Sequence, residues 1–277
     1  MTSCFTSYSY KRANAAFVAL VRNNEREAMR DSMRSVEMRF NRRAGYPWIF
    51  MNDEEFTTEF KEGVMSMTRS EVFFHVIPKE HWSYPEFINQ TYAAEERQKM
   101  VQENVIYGGS ESYRHMCRFN SMFFFQQKVL ADFDWYWRVE PGVEMEANEK
   151  VYGFTITLYE YRRHFWSNFE IGDLRFWRSK AYMDYVEFLD KKGGFFYERW
   201  GDAPVHSLAV ALFLPKDKVI HLDPIAYRHN PYTHCPQNNA LYHANGKCEC
   251  YAKDDFNTYD GYSCQPRWWD LMGKWNY

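Results

Sequence analysis

Ala15-Ala16-Phe17-Val18-Ala19-Leu20-Val21 is an uninterrupted apolar run. A run of this length with no polar alternation reads as a strand buried on both faces. Just beyond it, residues 24–40 carry Met29, Met33, Val36 and Phe40 at spacings of three and four. That is the apolar stripe of a helix lying on a sheet. Tyr46-Pro47-Trp48-Ile49-Phe50-Met51 reads as the next strand. A strand, a helix and a strand in that order open an α/β fold with a parallel sheet. No Gly-x-Gly-x-x-Gly follows the first strand, so a dinucleotide fingerprint is missing.

The same patterns extend along the chain. They predict a helix at about 53–66, a strand at 72–77 and helices over about 92–104 and 111–127. Strands follow at Trp135 to Val139 and Val151 to Tyr159. Helices are expected near 168–177, 180–191 and 203–213, and a short strand at 218–222. There are no internal repeats and no low-complexity linker. The expected organisation is a tail over 1–12 and one domain over 13–277, ending in a loop-rich stretch from 230 onward.

Of the 277 residues, 45% are hydrophobic and 19% aromatic, enough for a sizeable core, which excludes a disordered chain. The aromatic excess is greater than a core needs and is frequent in carbohydrate-handling proteins. The formal net charge of −3 provides no basic field, so nucleic acid is not an expected partner. No apolar stretch has bilayer length, and Met1 to Tyr10 lacks the apolar centre of a signal peptide. Four of the six cysteines, Cys235, Cys248, Cys250 and Cys264, crowd the tail, with Cys4 and Cys117 elsewhere. A loop-rich tail gains from cross-links, so disulfides and an oxidising compartment are expected. Zinc held with His234 and His243 is the rival, but Cys-x-Cys is not the usual ligand spacing. Asn89-Gln90-Thr91 is a glycosylation sequon.

In an α/β sheet, functional groups collect beyond the carboxyl ends of the strands. Glu140 stands there, after Trp135-Tyr136-Trp137-Arg138-Val139, with Pro141-Gly142 forcing a turn. It reads as a carboxylate facing a crevice, or as a partner for Arg138. Asp132-Phe133-Asp134 has the Asp-x-Asp form of many sugar transferases, but it precedes the strand and reads as a turn. His229 follows the last expected strand; with a carboxylate it would suit Mn²⁺. Ser167 and Glu170 in His164-Phe165-Trp166-Ser167-Asn168-Phe169-Glu170 have capping-box spacing. The run Gly194 to His206 mixes four aromatics with Glu198, Arg199, Asp202 and His206. It is either a sugar site, with rings to stack and carboxylates to bind hydroxyls, or a helix-to-helix corner.

Together these runs resemble the fungal Golgi α-1,2-mannosyltransferases, glycosyltransferase family 15. The resemblance is carried by Tyr46 to Asp53, Ile77 to Pro85, Ser112 to Arg118, Trp135 to Val143, Tyr152 to Thr155, His164 to Ile171 and Gly194 to His206. It implies a GT-A-like fold, a mixed central sheet flanked by helices. It also implies transfer of mannose from GDP-mannose to the 2-hydroxyl of an acceptor mannose, with retention and with Mn²⁺. Carried over by motif, Glu140 and His229 are the metal ligands, and Tyr113 and Glu170 sit at the reacting carbon. Asp202 faces the acceptor, with Glu198 beside it and Trp200 or Tyr197 stacking. Arg114 and Arg118 are expected near the donor phosphates. The implied acceptor is a mannosylated glycoprotein. The implied location is the Golgi lumen, reached through a type II anchor that this chain does not carry.

The chain departs from the family where Met145 to Asn148 and Arg162-Arg163 replace longer segments. An impaired mannan- or nucleotide-binding paralogue is therefore a second reading. A glycoside hydrolase using Glu170 and Asp202 is a third.

Overall fold

The computed structural model describes residues 12–145, 165–244, 246 and 248–273. The expected strand Val151 to Tyr159, the tail over 1–11, Cys4, His164 and the shortened stretches at 146–148 and 162–163 lie outside the described residues.

The opening reading holds. Strands β1 (Ala15–Leu20), β2 (Trp48–Asn52), β3 (Val72–Val76) and β4 (Trp135–Val139) run parallel, and β2 is buried throughout. Next in the chain come β5 (Glu144–Met145) and β6 (Phe169–Asp173). The main sheet has the order β3-β2-β1-β4-β6, with β6 antiparallel to β4. It is a mixed sheet, as expected.

Alternation sorts its side chains onto two faces. Phe17, Ala19, Trp48, Phe50, Trp137, Val139 and Phe169 share one core with Met29, Met33 and Val36 of helix α1 (Arg26–Val36). Ala16, Val18, Ile49, Met51 and Tyr136 share the other. That core is covered by α2 (Glu111–Met122), α3 (Lys180–Lys192) and α4 (Asp202–Phe213).

Several boundaries moved. The helix expected over 24–40 is α-helical only from Arg26 to Val36, with a π-helical turn over Glu37–Asn41. There Glu37 is buried and accepts from Trp48, Asn41 and Thr68. The helix expected over 53–66 begins at Thr58, where the Thr57 hydroxyl caps Phe60 N–H. The helix expected near 168–177 is wrong at its start: Phe169–Asp173 is β6, and only Leu174–Trp177 is helical. Phe169 and Ile171 alternate with Glu170 across a sheet, and that period-two pattern overrides the capping-box spacing. The strand expected at 218–222 is a 3₁₀ turn over Lys216–Lys218 and a single bridge at His221.

A three-stranded sheet of β5, β7 (Tyr227–His229) and β8 (Tyr232–His234) forms instead. Its consequence is positional. β5 starts right after the Glu140-Pro141-Gly142 turn and pairs with β7, Glu144 opposite Arg228, which brings β7 back to the end of β4.

The tail is cross-linked by Cys235–Cys250. That bond is the expected disulfide; it takes both sulfurs out of use as zinc thiolates, although His243 lies close enough to form a metal-ligand set with them. In addition, His234 is held by Asp255 at 3.1 Å and by the Asp223 carbonyl at 3.1 Å. Cys248 and Cys264 are buried nearby.

Candidate active site

Tyr136 and Arg138 have the same parity on β4, so both face the helices α2 and α4. Glu170 on β6 lies directly opposite Arg138 in the antiparallel register. Two carboxylate centres form around these residues.

The first centre is Glu170. It is 4% exposed. The Tyr136 hydroxyl donates to its Oε1, and His206 Nδ1 meets its Oε2 at 2.9 Å. The other imidazole nitrogen, Nε2, faces the Asn120 carbonyl oxygen at 3.1 Å. Both ring nitrogens therefore face acceptors, which only the doubly protonated ring satisfies fully. Burial alone disfavours that charged ring, but the Glu170 carboxylate overrides it, and the His206 pKa is raised above its ordinary 6.5. Burial beside Glu170 likewise pushes the Tyr136 phenol well up, so it stays a donor.

The second centre is Arg138, with Glu140 on one arm and Asp202 on the other, each at 2.5 Å. Burial opposes ionisation of Asp202, but Arg138 and then His206 overcome it and hold the Asp202 carboxyl below its ordinary value. Ser167 Oγ donates to the same oxygen at 2.9 Å. Glu140 remains partly exposed, and its second oxygen faces His229 Nε2 at 3.8 Å. Its backbone is pinned to α1, where the buried Ser32 Oγ donates to the Glu140 carbonyl at 2.9 Å and accepts from Val143 N–H at 2.9 Å.

Tyr113 lies on α2 with its ring stacked on Tyr107 at 4.9 Å and the Arg199 guanidinium 5.6 Å above it. Burial, with Cys117 and Asp202 nearby, pushes its phenol far up, so it is a hydroxyl donor and not an oxyanion.

The two expected donor-binding arginines sit elsewhere. Arg114 is completely buried and donates to the carbonyls of Phe196 at 3.2 Å and Ser110 at 2.8 Å. Arg118 is locked in a bidentate pair with Asp190 at 2.7 and 2.9 Å. Both guanidiniums are committed to holding α2 against the 194–197 turn and α3, so neither is placed to meet phosphate. On helix α2 the stretch Ser112 to Arg118 presents its arginines to the core, which its sequence alone left open.

The run 194–206 divides in the same way. Trp200 packs over Gly194, where an added Cβ would lie 2.2 Å from the indole. Its Nε1 donates to the exposed Glu198 at 3.0 Å, and Tyr197 Oη accepts from Asn89 N–H at 2.8 Å. These are the contacts of a corner. Only Asp202 and His206, four residues apart at the start of α4, reach the charged centre. His206 was missed as a site residue. The signal was present, since Asp202 immediately precedes the helix expected near 203–213 and His206 follows at i+4, a spacing that puts two polar groups on one face once the helix starts at Asp202. The Asp132-Phe133-Asp134 segment is at the amino end of β4, away from Glu140, as a turn.

Along the carboxyl edge of β1 and β2, a crevice of about 630 Å³ is lined by Arg22, Asn23, Asn52, Asp53, Trp82 and Ser112, among others. That is the size range of small-molecule sites. It shares its sheet edge with Glu140.

The chain is similar over nearly its whole length to known proteins. The family profile described as "Glycolipid 2-alpha-mannosyltransferase" matches residues 2–164 and 162–273. The match divides at the point where the resemblance expects extra residues. The glycolipid 2-alpha-mannosyltransferase of Saccharomyces cerevisiae is 46% identical, over 95% of this chain and 70% of its own length. Core-mannan synthase A of Aspergillus fumigatus, crystallised in a Mn/GDP form, superposes with a TM-score of 0.87 at 34% identity, over 96% of this chain and 87% of that one. The mannosyltransferase Ktr4p of S. cerevisiae in complex with GDP gives a TM-score of 0.87 at 33% identity, over 93% and 81%.

Proposed function

The chain belongs to the glycolipid 2-alpha-mannosyltransferase family, and from that premise we propose that it moves mannose from GDP-mannose to the 2-hydroxyl of an acceptor mannose. The observation that carries this is the meeting of Glu140 and His229 at the carboxyl edge of the sheet, the edge along which the 630 Å³ crevice also lies. A carboxylate oxygen and an imidazole nitrogen facing each other form a donor set that suits Mn²⁺. When bound there, the ion would neutralise charge on the departing diphosphate.

The protein's own groups supply the rest. The crevice lined by Arg22, Asn23, Asn52 and Asp53 receives the nucleotide. Glu170, with both oxygens already accepting hydrogen bonds, is suited to stabilise a cationic sugar more than to attack it. Tyr113, kept protonated, donates to a sugar or phosphate oxygen. Asp202 accepts from the acceptor sugar, with Tyr197, Glu198 and Trp200 shaping the corner behind it. The acceptor hydroxyl then attacks from the face that the diphosphate leaves, which preserves the anomeric configuration.

The impaired-paralogue reading is not favoured, because Glu140, His229, Glu170 and Asp202 all gather near one end of β4. A hydrolase needs one carboxyl with a raised pKa. Asp202 is held low, so it is unsuited to that acid role. We assign the acceptor as a mannosylated glycoprotein and the compartment as the Golgi lumen; the Cys235–Cys250 bond fits an oxidising lumen. Among the described residues no helix is long and apolar enough to cross a membrane.

The test is incubation with GDP-mannose, Mn²⁺ and methyl-α-mannoside. A dimannoside cleaved by α-1,2-mannosidase is expected; folded protein that yields none refutes the activity.

A further inference from the structure

Arg138 carries no role in the reaction described above, yet it is gripped by two carboxylates at the site. Its side chain is 11% exposed, and its two terminal nitrogens are divided between different carboxylates, Nη2 on Glu140 Oε1 and Nη1 on Asp202 Oδ2. Glu140 is fixed at its backbone by Ser32, so only its side-chain torsions remain to be set. Arg138 sets them: with Oε1 on the guanidinium, Oε2 is left facing His229. Asp202 is oriented by the same group, with Ser167 assisting. The guanidinium is a rigid planar fork, so a movement of one carboxylate is transmitted to the other.

We propose that Arg138 is a positioning residue that couples the metal-side carboxylate Glu140 to the acceptor-side carboxylate Asp202, so that metal affinity and acceptor affinity change together. The proposal rests on the assignment of Glu140 and Asp202 made above. Lysine at this position keeps the charge but offers one compact ammonium, which cannot grip two carboxylates along fixed directions.

The experiment titrates Mn²⁺ into the whole chain with GDP present and no acceptor, by electron paramagnetic resonance of the free ion. It is paired with steady-state KM for methyl-α-mannoside. Arg138→Lys is expected to weaken Mn²⁺ binding about 10- to 100-fold, as loss of a group that orients a metal ligand does, and to raise the acceptor KM. Asp202→Asn is expected to weaken Mn²⁺ binding in the parent and to have far less effect in the Arg138→Lys background. Glu140→Asp, which draws the carboxylate back from the guanidinium, is expected to raise the acceptor KM at saturating Mn²⁺; it serves if Arg138→Lys does not fold. Unchanged Mn²⁺ affinity in folded Arg138→Lys overturns the proposal. So do additive losses in the Asp202→Asn cycle, and so does an unchanged acceptor KM in Glu140→Asp. If Glu140→Ala leaves Mn²⁺ binding of the parent intact, the metal assignment itself fails, an outcome distinct from those three.

Discussion

Replacing His206 with Gln makes a prediction that depends on the sign of a pKa shift. His206 is 3% exposed and is held between Glu170 at 2.9 Å and the Asn120 carbonyl at 3.1 Å. Removing one member of a buried charged pair costs about 3–5 kcal/mol, because the other charge is left uncompensated. The size of that cost should depend on pH. The folded pKa of His206 lies above its ordinary 6.5. The ring's contribution is therefore fully present below about pH 6.5 and is lost as pH rises through the folded pKa. Within that window each pH unit removes about 1.4 kcal/mol. His234 is also raised by its partner Asp255, while burial lowers His81 and His115, so the parent's own curve is a mixture. The difference between parent and His206→Gln isolates one group. Urea denaturation of both proteins at pH 6, 7 and 8 measures it. The loss should be largest at pH 6 and shrink toward pH 8. A loss that is flat with pH, or that grows as pH rises, would refute the assignment of a charged imidazole beside Glu170.

Three further outcomes are expected. Ser32→Ala leaves Val143 N–H and the Glu140 carbonyl without their buried partner; stability should fall by about 1–3 kcal/mol in urea unfolding, and a fall within error argues against the pin. Cys235→Ser opens a link spanning 15 residues and should cost about 3 kcal/mol, read as a lower melting temperature that dithiothreitol reproduces in the parent. Trp200→Ala should lower stability by about 2 kcal/mol through lost burial while the acceptor KM stays within about twofold. A large rise in KM at unchanged melting temperature would instead return Trp200 to the acceptor site.

The α/β architecture was legible because strands such as Ala15–Leu20 and Trp48–Asn52 are continuous apolar runs and α1 has a strict stripe of Met29, Met33 and Val36. Burial on both faces leaves a signal within a few residues of sequence. The position of Glu140 at a strand end was legible for the same reason, because the apolar run before it marks where β4 stops. β6 was not legible. Its Ser167…Glu170 spacing imitates a helix start, and only pairing with β4 makes it a strand. The arginines of α2 show the reverse failure: their motif was recognisable, but the direction of each side chain depended on what packs against the helix. Arg114 meets the Phe196 carbonyl and Arg118 meets Asp190, partners 82 and 72 residues away.

By itself, then, the amino-acid order determined the layers of this protein, the edge on which its chemistry sits and the residue types that gather there. Those are consequences of local periodicity and of where strands stop. Only the tertiary structure decided which charges share a partner. Glu140 meets His229 because β5 pairs with β7, and Glu170 meets His206 because β6 pairs with β4 in the sheet and α4 packs on the face that Glu170 shares with Tyr136 and Arg138. Charge pairing is a contact between segments distant in sequence, formed only where the packed core leaves polar groups no other partner, and no short window of sequence contains that information.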